Sequence, residues 1–140
     1  MYQHILIPTD GSELSRRAIV HAVRLASVHG ARVTGLTVVV HSLTPRGLGD
    51  KMVSDDVLNA TAESFLAVVA DEAKKAGVAY DCFVVAGDSV AEEVVRAAES
   101  TGCDLICMAS HGRIGFTGLL MGSETNKVLH YSKVPVLVTR

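Results

Sequence analysis

"ILIPTDGSELSRRAIVHAVRLASVHGARVTGLTVVV", residues 5–40, decides the fold, because its hydrophobic period changes twice within a short span. Ile5 to Ile7 form a short apolar run that stops at "PTDGS", a cluster of turn and cap residues. From Ser12 the apolar positions adopt helical spacing, with Leu14, Ala18, Ala22, Leu25 and Ala26 on one stripe. Gly30 stands where a left-handed terminal residue closes a helix. "ARVTGLTVVV" then reads as a second strand, and Val38, Val39 and Val40 are a β-branched run suited to burial on both faces. The unit is strand, helix, strand, whose two strands must run parallel because the return needs a crossover.

The same alternation continues. Residues 41–53 lack a period and contain Pro45, Gly47 and Gly49, which predicts a surface loop. Ser54 is placed to cap a long helix with the stripe Leu58, Ala62, Phe65, Leu66, Val69, Ala73 and Ala76, ended by Gly77. A third strand is predicted over Tyr80 to Ala86. "SVAE", Ser89 to Glu92, has the form of a capping box, Val94, Val95 and Ala98 supply the apolar face behind it, and Gly102 closes that helix. "DLICMA" is a fourth strand, Ser123 is expected to cap a last short helix, and "VPVLVT" is a fifth strand. Pro135 lacks a ladder donor, which puts that last strand at a sheet edge. The expectation is a single-domain α/β fold over residues 1–140: a doubly wound open sheet of five mainly parallel strands with four helices, Rossmann-like, in strand order 3-2-1-4-5.

Composition narrows the function. A chain of 140 residues buries roughly 70% of the surface its unfolded form exposes, so no disulfide or metal is needed to hold it. Thirteen Lys plus Arg against fifteen Asp plus Glu give a net charge of −2, with no basic stripe, which argues against a nucleic-acid partner. No apolar stretch reaches the ~20 residues that span a bilayer, and the start reads as that of a mature cytoplasmic protein. Cys82, Cys103 and Cys107 lack CxxC spacing, and the six histidines have no metal-ligand spacing, so no metal site is expected. Cys103 and Cys107, if both are extended, point to one face.

In an open parallel sheet the ligand crevice lies beyond the carboxyl ends of the strands, where strand order reverses. The two richest polar turns follow the first and fourth strands: "PTDGS" and "SHGRIGFTG". Asp10 is suited to accept from ribose-like hydroxyls or, alternatively, to turn the chain before the first helix. Gly112 and Gly122 expose backbone amides, while Ser123 and Thr125 add hydroxyls at a helix start, where unpaired amides attract phosphate. Glu124 adds a negative charge there, which opposes phosphate if it points inward and otherwise favours the helix dipole. His111 is either a ligand contact or a surface histidine, and Arg113 either is solvated or swings toward phosphate. Gly115 and Gly118 read as bends in the intervening segment. No Gly-Lys pair exists for a Walker loop, and Gly11 alone after the first strand does not make a dinucleotide fingerprint.

"PTDGS", then "MASHG", nine residues, "GS" and finally "VPVLV" resemble the universal stress protein family over essentially the whole chain. Its nucleotide-binding branch carries Gly, two residues, Gly, nine residues, Gly, then Ser or Thr. Gly112, Gly122 and Ser123 match, and the first glycine position is Ala109, one methyl group away. The resemblance implies that Pro8, Thr9 and Asp10 border adenine and ribose, and that Val38 meets the adenine through its backbone. It places Met108 and Ala109 beside the ribose, and gives the phosphates to His111, Gly112, Gly122, Ser123 and Thr125. It also implies ATP (or ADP or AMP) as ligand, with Mg through Asp10 as an option, a homodimer through the last strand, and a regulatory role in stress tolerance. A nucleotide-free interaction module ranks second. A slow ATPase or nucleotide transferase ranks third, since no clamp, metal carboxylate and nucleophile-orienting group are legible together.

Overall fold

A computed structural model of the chain describes residues 1–40, 55–110 and 122–140. Its elements are β1 (His4–Pro8), α1 (Glu13–His29), β2 (Arg32–Val40), α2 (Asp55–Ala76), β3 (Tyr80–Gly87), α3 (Val90–Thr101), β4 (Leu105–Ala109), α4 (Ser123–Tyr131) and β5 (Val136–Thr139). The strands form one parallel sheet in the order β3-β2-β1-β4-β5, as the alternation predicts. The chain runs outward from β1 to β3, then returns past β1 to lay down β4, so strand order reverses between β1 and β4.

Because strand side chains alternate between faces, consecutive residues feed two cores. Ile5, Ile7, Val33, Leu105 and Cys107 pack with Ile19, Ala22, Val23 and Ala26 of α1 and with Val69 and Ala73 of α2. Leu6, Leu36, Ile106 and Met108 pack with Ala91, Val94, Ala97 and Ala98 of α3 and with Val128 of α4. Ile5, Leu6 and Ile7 are all fully buried, as a central strand covered on both sides requires. The α1 stripe centres on Ala18, Ile19, Ala22, Val23 and Ala26, with Leu14 and Leu25 half-buried at its margins. Ala76, assigned to the α2 stripe, is exposed in the last turn.

Local signals place most ends well. Ser12 Oγ accepts the Ser15 N–H at 3.2 Å, and Gly30 and Gly102 adopt φ of 67° and 71° at their helix ends. Two expectations need correction, the α4 cap and the facing of the cysteines. Ser123 is the first helical residue and not the cap of α4: Gly122, extended at ψ 149°, fills that position and its carbonyl accepts the Asn126 N–H at 3.1 Å. At α3, Ser89 is the cap, as expected, its Oγ accepting the Glu92 N–H at 3.4 Å, and the Ala91 N–H between them is met by Glu124 from α4. Cys103 precedes β4 and joins the α3 side, whereas Cys107 lies on the α1 side, so the two thiols face opposite cores. The loop 41–53 and the Ser54 cap lie outside the described residues.

Candidate functional site

The turn after β1 is built from short polar side chains tied to one another. Thr9 is held to β2 from both of its backbone groups: its N–H donates to the Leu36 carbonyl at 2.8 Å, and its carbonyl accepts from Thr37 Oγ1 at 2.9 Å. Ser15 Oγ donates to the Ser12 carbonyl at 2.9 Å, which leaves Thr9 Oγ1 to donate to Ser15 across 3.0 Å. Asp10 Oδ1 accepts the Ser12 N–H at 3.0 Å, so the turning role of this carboxylate is realised. Gly11 has φ 78°, and a Cβ there would stand 2.3 Å from the Phe65 ring. Its lack of a side chain therefore serves the close approach of α2.

The β4 side is tied differently. Thr125 is buried, and its hydroxyl donates to the Ala109 carbonyl at 2.9 Å. The Ser110 N–H donates to Thr139 at 2.8 Å, and the Gly122 N–H donates to the Ser110 carbonyl at 2.7 Å. These bonds bring the start of α4 against the end of β4. The first turn of a helix has amides without intrahelical partners.

Between these turns lies a cleft of about 110 Å³, lined by Pro8, Thr9, Asp10, Ser15, Leu36, Val38, Val90, Met108, Ala109, Glu124 and Thr125. It sits where strand order reverses. Pro8, Thr9, Asp10, Val38, Met108, Ala109 and Thr125, all expected from the sequence, thus share one wall system. Gly122 and Ser123 stand next to it at the α4 start without lining it, and His111, Gly112 and Arg113, with Gly115 and Gly118, fall outside the described residues. Ser15, Leu36 and Val90 were not expected as lining residues, and Glu124, weighed from the sequence as pointing inward or outward, does line the cleft. Leu36 was discoverable, since it lies two residues before Val38 on the same strand face and pairs in register with Pro8. Val90 carries no such signal, because α3 reaches the cleft only through packing.

A larger cleft of about 330 Å³ lies beyond the same turn, between α1 and α2, lined by Thr9, Gly11, Arg16, Ile19, Ser64, Phe65 and Val68. It is displaced from the β1–β4 reversal, so the smaller cleft is the better ligand candidate despite its size. Among the described residues, no group of three or more His, Cys, Asp or Glu could hold a metal ion. The three cysteines are unpaired thiols, and burial pushes Cys107 up to about 12, which keeps it protonated. No helix among the described residues is long and apolar enough to cross a membrane.

Comparison with known proteins agrees with this architecture. Residues 1–140 match the universal stress protein family. Universal stress protein MJ0531 of Methanocaldococcus jannaschii is 33% identical over 144 residues, covering 100% of this chain and 83% of that protein. The solved structure of MJ0577, from the same organism, superposes with a TM-score of 0.83 at 29% identity, over 99% of this chain and 96% of the other. A universal stress protein crystallised in complex with cAMP superposes with a TM-score of 0.74 at 25% identity, over 99% and 97%. Full-length sequence likeness, a shared sheet order and the turn motifs on β1 and β4 converge, and the chain belongs to the universal stress protein family.

Proposed function

We propose that this chain is a single-domain, cytoplasmic universal stress protein that binds an adenine nucleotide, ATP, ADP or AMP, in the β1–β4 crevice, as a regulatory module in stress tolerance. The carrying observation is the cleft itself, where the ends of β1, β2 and β4 meet the first turn of α4. Its apolar part, Pro8, Leu36, Val38, Val90, Met108 and Ala109, suits a base and sugar, and its polar edge suits hydroxyls and phosphate. Thr9 and Asp10 take the ribose side. The Thr125 hydroxyl is already donated to Ala109 and the Gly122 N–H to Ser110, so the phosphates are left to the amides of Ser123 and Thr125, with Gly122 allowing their close approach. His111, Gly112 and Arg113 complete the site in this reading, and Mg²⁺ bound with the nucleotide would approach Asp10. The cAMP complex of a relative supports an adenine ligand.

In this reading the module acts by binding, with slow turnover as the third reading. Homodimerisation through β5 fits its place at the sheet edge and the exposure of Leu137, with Leu129 and Tyr131 exposed on the adjoining α4. Denaturing the purified protein and analysing the supernatant by chromatography and mass spectrometry should release adenine nucleotide. Failing that, ATP with Mg²⁺ should raise the melting temperature, and Gly122→Val should remove that rise without unfolding the chain. No released nucleotide together with no thermal shift would overturn the reading in favour of a nucleotide-free interaction module. Phosphate release that scales with protein and disappears in Asp10→Ala would show turnover instead.

A further inference from the structure

Glu124, the charge the sequence put beside the helix start, lines this cleft. It is the second residue of α4, beside Thr125, and it lines the wall that a ligand at the helix start would meet. Its carboxylate is not left to swing into solvent: Oε2 accepts the Ala91 N–H of α3 at 2.8 Å, while Oε1 pairs with Lys127 Nζ at 3.1 Å. One carboxylate therefore sits at the starts of two helices, the position where unpaired amides and the macrodipole would otherwise stabilise a bound phosphate. The other charged residue on the described wall is Asp10, also a carboxylate and also fixed, through the Ser12 N–H. Lys127 does not line the cleft, and its pair with Glu124 is exposed, so it screens the charge only partly.

We propose that Glu124 is a specificity-determining residue that sets the charge selectivity of the crevice, favouring a nucleoside monophosphate over a long phosphate chain. The inference rests on the nucleotide reading above. Each added phosphate brings further negative charge toward a carboxylate that cannot retreat without giving up the Ala91 amide. The Glu124 side chain is 38% exposed, so water and salt screen part of this repulsion, but it grows with the number of phosphates while leaving base and ribose contacts untouched.

Calorimetric titration of the full chain with AMP and with ATP, in EDTA and at low salt, tests this. Glu124→Gln keeps an oxygen for the Ala91 amide and removes the charge, and it should shift the AMP-to-ATP affinity ratio about tenfold toward ATP. Glu124→Ala should shift the ratio the same way. Ser89→Ala removes a cap from the same helix but no cleft charge, and should leave the ratio as it is. If both nucleotides bind and neither Glu124 variant moves the ratio toward ATP, Glu124 does not select by charge, although the nucleotide reading survives. If neither nucleotide binds wild type or variants, the nucleotide reading itself fails and the inference falls with it.

Discussion

The two ends of the sheet handle polar groups in opposite ways. At the amino-terminal end, charges close on one another: Asp104 accepts the N–H groups of Gln3 and His4 at 2.9 Å each, His4 Nε2 meets Thr34 Oγ1 at 2.6 Å, and Arg32 pairs with Asp81. At the carboxyl end, Thr9, Ser15, Thr37 and Thr125 hold the turns with neutral hydroxyls, and the carboxylates of Asp10 and Glu124 face a cleft. Residues of similar type are thus structural at one end and placed for a ligand at the other. The difference follows from topology, because the connections leaving β1 and β4 lead to helices on opposite faces, α1 and α4, and part at the carboxyl ends.

The most damaging way to break this contrast is at the turn that shapes the cleft. Gly11→Ala forces a side chain into the left-handed region and against Phe65, and should cost about 2–4 kcal/mol in denaturant unfolding. Adding Phe65→Ala should relieve only the steric part; complete recovery would show that φ at Gly11 is unimportant. Next, Thr125→Val keeps shape but leaves the Ala109 carbonyl without its hydroxyl partner. A loss of about 1–2 kcal/mol is expected, together with weaker nucleotide binding. Asp104→Ala, at the other end, should cost about 1 kcal/mol and leave nucleotide affinity unchanged. An effect on affinity there would erase the contrast between the two ends.

The smallest expected effect is in pH dependence, and it belongs to the amino-terminal end. Burial, reinforced by Arg32, holds the His4 pKa below its ordinary 6.5, so the fold favours the neutral ring. That contribution is full above the unfolded value and is lost as pH falls through the lower folded one. The melting temperature should therefore drop between pH ~7.5 and ~5, and less so in His4→Gln. Asp104 adds a second acid limb. Burial pushes its carboxyl up, but the His4 and Gln3 amides together outweigh this and hold it below 3.8. Its contribution is present above that value and is lost as pH falls through the folded one. An unchanged profile in His4→Gln would remove His4 as the source of the first limb.

Much of this was legible in the residues. The switch of period at Ser12, the β-branched run at Val38 to Val40, and Gly30 and Gly102 are local signals, and the elements start and stop where those signals lie. Asp10 was legible from its place just past a strand end at the expected crevice, while Pro8, Val38, Met108 and Ala109 came from the resemblance, and all five line one cleft. What failed was longer in range. The cap of α4 fell on Gly122 because Thr125 is drawn to Ala109 and sets the helix start. Nor could neighbouring residues show that the Ala91 N–H, which a capping box leaves unpaired, is met by Glu124, 33 residues away.

By itself, the sequence determined which segments are helix and strand, their order, and which faces are apolar. Those are properties of period, propensity and capping that act within a few residues. Tertiary structure alone decided that Asp104 ties down Gln3 and His4 about a hundred positions earlier, that Cys103 and Cys107 part to opposite cores, and that Glu124 turns its charge onto α3 at the mouth of the cleft. A hydrogen bond or a shared wall between residues remote in the chain leaves no periodic trace, because its geometry exists only once the sheet has brought the two ends together.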